Sequence, residues 1–76
     1  MTASDLEHLL IARLVRERGS TSQAWRRALG KVIVRDPKTH SHCNWELRPS
    51  GTDAQRAAIE ELLDEVRLRY SIVGPD

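Results

Sequence analysis

Along the first twenty positions apolar residues recur at helical spacing. At about 100° per residue, Leu6, Leu9, Leu10 and Leu14 fill one arc, and Ile11 and Val15 widen it beyond a single face. Ser4 and Glu7 stand three apart, the spacing of a capping box, and Gly19 offers the left-handed residue that ends many helices. The pattern predicts a helix from about residue 4 to Arg18, packed between two neighbours because its apolar surface is too wide for one.

A polar cluster, Ser20 to Gln23, opens the next segment. A short helix over 22–29 would gather Trp25, Ala28 and Leu29 and end at Gly30. The competing reading is an extra strand leading into Lys31.

Period two follows. Lys31 to Arg35 is a β-branched run, Asp36-Pro37-Lys38-Thr39 has turn chemistry, and His42 to Leu47 alternates. In a hairpin Val32 and Val34 share the inner face with Cys43, Trp45 and Leu47. Lys31, Arg35, His42, Asn44, Glu46 and Arg48 are assigned to the wet face, with Ile33 the apolar exception. Pro49-Ser50-Gly51 stops the strand, and Thr52 with Gln55 forms another capping signal. The helix it opens runs from Asp53 to about Tyr70. Ile59, Leu62, Leu63, Val66 and Tyr70 form its apolar stripe, while Glu60, Glu61, Asp64 and Glu65 read as a solvated face. Gly74-Pro75 ends the structured part, with Tyr70, Ile72 and Val73 available to dock the tail.

The expected fold is therefore α+β: an N-terminal helix, a short helix, a β-hairpin and a C-terminal helix, with the helices on one face of the hairpin. Residues 1–76 form one domain, with an ordered core of about residues 4–72 and a short C-terminal tail.

Size changes this picture most. In a chain of 76 residues with no Phe, large aromatic area comes from Trp25, Trp45 and Tyr70 alone. Domains this small rarely draw more than about 3–5 kcal/mol from one core without a staple. The single cysteine, Cys43, cannot form an internal disulfide, which also makes a reducing, cytoplasmic setting the default. A partner chain is the leading candidate staple. The expected function is accordingly that of a small soluble, non-enzymatic protein-interaction module that self-associates as a homodimer. Leu10, Ile11, Leu14 and Val15 are the expected protein interface.

Charge supplies the alternative. The net charge is only +1, but residues 1–38 carry eight basic and four acidic groups, against four and seven in residues 39–76. Arg26, Arg27, Lys31, Arg35 and Arg48 would form a basic patch on the short helix and hairpin, the electrostatic footprint of a nucleic-acid-binding protein. No apolar run reaches the ~18–20 residues of a membrane span.

Catalytic signatures are weak. The sequence contains no Gly-rich phosphate loop, nucleophile elbow or HExxH motif. His40 and His42 project to one side of a strand as two metal ligands would, but zinc needs two further ligands and no second Cys/His pair stands at ligand spacing. No metal and no cofactor is expected.

Overall fold

A computed structural model describes residues 1–75. Three helices and one hairpin follow in the expected order: α1 (Ala3–Arg18), α2 (Ser22–Leu29), β1 (Ile33–Val34), β2 (Trp45–Glu46) and α3 (Asp53–Arg69). The fold is a small α+β domain.

The wide apolar arc of α1 is used within the chain. Leu6, Leu10, Ile11 and Leu14 are buried, Leu9 and Val15 half-buried, and α1 packs against both α2 and α3. The start of α1 differs from the sequence expectation. Its N-cap is Thr2, whose hydroxyl accepts from Asp5 N–H at 3.2 Å while Asp5 Oδ2 accepts from Thr2 N–H at 3.0 Å. The same reciprocal logic operates two residues earlier than the Ser4–Glu7 spacing suggested. The physical reason lies at the other end of the chain: Ala3 N–H donates to Gly74 O, and Gly74 N–H to Met1 O. This parallel junction of Thr2 with Gly74 holds the N-terminus against the tail. Gly19 (φ +79°) ends α1 as expected.

α2 is helical rather than a strand, buries Trp25, Ala28 and Leu29, and is capped by Thr21. The Trp25 indole N–H donates to Gly19 O at 2.7 Å, which ties α2 to the end of α1.

The hairpin is antiparallel, with Ile33 opposite Glu46 and Val34 opposite Trp45. Val32, Trp45 and Leu47 are buried, and Val34 and Cys43 pack half-buried on the same core. The strands are shorter than the sequence pattern implied. Asp36 begins to bend the chain: its Oδ1 accepts from Lys38 N–H, and its carbonyl from Thr39 and His40 N–H. On the opposite strand Asn44 sends its own N–H to Ser71 O rather than across the ladder.

Asn44 therefore corrects the facial assignment. Period two put it on the wet side, yet it is only 1% exposed. Its Nδ2 donates to Arg35 O (3.0 Å) and Val73 O (2.7 Å), and its Oδ1 accepts from Val73 N–H (2.8 Å). Residues 71–74 cover that side of the hairpin. Val73 points inward, buried, while Ile72 points outward, so only part of the expected tail contact forms.

α3 begins as read, with a Thr52–Gln55 capping box, and buries Ala58, Ile59, Leu62, Leu63 and Val66. Tyr70 caps it and is half-buried, and its carbonyl accepts the Trp45 indole N–H at 2.7 Å. No helix among the described residues is long and apolar enough to cross a membrane.

Candidate interaction site

Leu10, Ile11 and Leu14, the expected interface, lie inside the chain's own core, and Val15 packs half-buried at its margin. The apolar excess of α1 is thus satisfied by α2 and α3. Exposed apolar area lies elsewhere. Leu68 on α3 is 89% exposed, and Met1 and Ile72 are close to half exposed.

Met1 and Ile72 belong to a groove of about 690 Å³ where the chain ends meet the hairpin. Val34, Pro37, Val73 and Pro75 supply the rest of its apolar lining. Its position follows from two local facts. The Asp36 turn carries Pro37 outward, and the Asn44–Val73 hydrogen bonds fix the tail opposite it. Met1 was outside every sequence argument, because its place depends on the junction between Thr2 and Gly74.

Beside the groove, β1 has β2 as its only strand neighbour among the described residues. Arg35 N–H donates to Asn44 O at 2.6 Å, and Ile33 is paired two residues earlier. Alternation in an antiparallel ladder then turns the N–H and C=O of Val34 away from β2. Outside the strand pair, none of the described residues hydrogen-bonds the Val34 backbone. One edge of the sheet is open at this residue.

The basic positions are partly neutralised. Arg35 (2.6 Å) and Arg48 (3.6 Å) both approach Glu46, and Arg26 lies 3.6 Å from Glu7. The hydrogen bond from Arg35, its positive charge and that of Arg48 hold the Glu46 carboxyl below the usual carboxylate range. Arg27 borders a shallow hollow between α2 and the start of α3, and Lys31 is exposed. Neither has an ion pair among the described residues. Acids thus stand beside Arg26, Arg35 and Arg48, three of the five residues.

The acidic face of α3 does more than solvate the helix. Glu65 accepts from Arg13 at 2.7 Å and Glu61 from Arg18 at 3.0 Å, so α1 and α3 are bridged along their outer seam. Arg13 also pairs with Glu17, one turn away. At the hairpin tip His40 Nδ1 lies 2.9 Å from Thr39 Oγ1, and His40 and His42 are exposed. Cys43 is half-buried, with Sγ 3.3 Å from Trp45 O. Among the described residues no three His, Cys, Asp or Glu side chains converge as a metal site would require. Sequence reasoning also missed the guanidinium of Arg67, which sits 5.5 Å from the Trp45 ring centroid. No protein-family model, curated protein or solved structure matches the chain.

Proposed function

We propose that the chain is a small protein-interaction module that self-associates, using the open hairpin edge and the adjoining groove rather than the α1 positions. The observation that carries this reading is the coincidence, at Val34, of an unpaired strand edge with an apolar groove. Exposed strand edges and contiguous apolar surface are the two features that a small domain ordinarily covers with another chain. The interleaving of Glu7 and Glu46 among Arg26, Arg35 and Arg48 favours this reading over nucleic-acid binding, which needs phosphate-facing cations unopposed by nearby carboxylates.

Sedimentation equilibrium over a wide concentration range tests it. The expected result is a reversible monomer–dimer equilibrium, with a Tm that rises with concentration. A monomer at every concentration, with a Tm unchanged on dilution, overturns the reading. Salt-sensitive binding of duplex DNA or RNA by that monomer would move the assignment to nucleic acid.

A further inference from the structure

The groove is built in two parts with different anchorage. Val34, Arg35 and Asn44 give it a wall that is part of the hairpin, while Ile72, Val73 and Pro75 give it a wall that belongs to the tail. Resting on the self-association proposed above, we infer that residues 71–75 are a latch. They open as one unit while the core stays folded, and the closed latch assembles the surface on which a second copy docks.

The root of the latch is fixed. Tyr70 ends α3, with its N–H bonded to Val66 O at 2.8 Å and its carbonyl held by the Trp45 indole at 2.7 Å. Beyond it the backbone is tied at two places among the described residues. Asn44 is the catch: its N–H donates to Ser71 O, and its carboxamide exchanges two hydrogen bonds with Val73. Gly74 is the second tie, donating to Met1 O and accepting from Ala3 N–H. The Asn44 carboxamide also holds Arg35 O, so the catch stays with the hairpin when the tail leaves.

These ties hold little buried surface. Val73 is the only buried residue of the segment, since Ile72 faces outward and Pro75 is exposed. By contrast, α3 buries five side chains on one continuous helix. Every ordered residue carries a similar entropic cost, so a segment with so little burial opens well before the core. Its bonds are also linked. Val73 and Gly74 are adjacent, and freeing either from its partner leaves the other on a slack chain. Opening is therefore cooperative and carries Ile72, Val73 and Pro75 out of the groove together. A second copy that binds only the closed form holds the latch shut, and by linkage whatever opens the latch weakens the dimer.

Native-state hydrogen exchange on 15N-labelled protein, in low concentrations of denaturant, tests the latch. In dilute protein the Ala3, Asn44, Val73 and Gly74 amides are expected to share one protection factor. It should lie at least about tenfold below that of Ile59 and Leu62 and depend less steeply on denaturant. As dimer accumulates, all four are expected to gain protection by the same factor. Val73→Asp sets a charge in the buried site, and is expected to leave the Arg35 amide protected while raising the dimer Kd about tenfold or more. Four unrelated protection factors, or factors equal to those of Ile59 and Leu62, overturn the latch, and this wild-type measurement decides even if the variant does not fold. A dimer that forms without changing them, or that Val73→Asp leaves as tight, overturns its control of the groove and leaves self-association standing. A wild-type monomer at about 1 mM overturns self-association and with it the coupling, whereas the latch itself stands or falls on the dilute measurement.

Discussion

Asn44 and Val73 face each other as two strand residues would, although one partner is a side chain. The Asn44 carboxamide donates to Val73 O at 2.7 Å and accepts from Val73 N–H at 2.8 Å. An amide side chain has the donor and acceptor geometry of a peptide group, so it can satisfy both. Its third bond, to Arg35 O, stands in for the N–H that Asn44 gives to Ser71. One residue thus joins the hairpin to the tail with its buried polar atoms satisfied.

Replacing Asn44 should therefore be costly. Asn44→Ala strands the Val73 N–H and C=O, and the expected loss is about 2–4 kcal/mol by urea unfolding. Asn44→Asp keeps the acceptor but sets an oxygen against the carbonyls of Arg35 and Val73, and should be at least as harmful at neutral pH. The Val73 amide should become rapidly exchanging in both variants. Near-wild-type stability for Asn44→Ala would show that the tail contact contributes little.

Acid should weaken the protein through a definable set of carboxylates. Asp5 is held below its ordinary pKa by its hydrogen bonds with Thr2, Glu46 by Arg35, and Glu65 by Arg13. Because the folded-state pKa is depressed in each case, the stabilisation is present above the ordinary carboxylate pKa and is lost as pH falls through the lowered value. Tm should be flat from neutrality down to about pH 5 and then decline. Glu65→Gln should melt lower than wild type at neutral pH, and the difference should vanish in acid. A difference that persists in acid would exclude the Arg13 pair as its cause.

The start of α3 depends on a bare backbone. Gly51 has φ +100°, and a Cβ there would collide with Gln55 Oε1, which accepts the Thr52 N–H at 2.9 Å. Gly51→Ala should cost about 1–2 kcal/mol through conformational strain and loss of that cap. Gly19→Ala meets no atom within 4 Å, but its backbone (φ +79°, ψ −157°) lies where glycine alone is at ease, so it too should cost about 1–3 kcal/mol. Thermal melts of both variants, measured side by side, check these losses.

Ile11 and Leu14 separate core from interface. Both are at most 5% exposed within one chain. Substitution by Ala should therefore destabilise the protein by about 2–5 kcal/mol even at concentrations where it is monomeric. An effect seen only where dimer forms would return these residues to a subunit contact.

The helices were legible because their signals are local and repeated. Thr52 and Gln55 sit three apart, Ile59, Leu62, Leu63 and Val66 recur at helical spacing, and each turn reinforces the last. The facial assignment of Trp45 and Leu47 was equally legible, since period two needs only neighbours. Asn44 was not. Its burial depends on Val73, distant in sequence, and alternation carries no information about such a partner. The width of the α1 arc was read correctly but admitted two occupants, a second chain or α2 and α3, and periodicity cannot distinguish them. The groove escaped notice because Met1, Val34 and Ile72 meet only through the Thr2–Gly74 junction.

That junction also bears on engineering. Met1 O and Gly74 N–H are 2.9 Å apart, so the first and last described backbone segments emerge at one corner. A linker of a few residues would span them, and the loop-closure cost of so short a bridge is small. The resulting ring could be reopened at the exposed bend between Pro37 and Ser41 to give a permuted chain. Reporter tags fused at either terminus would crowd the same hollow. Pro37 lines the hollow beside Met1 as well, so a reporter inserted at the bend belongs on its far side, near His40 and Ser41.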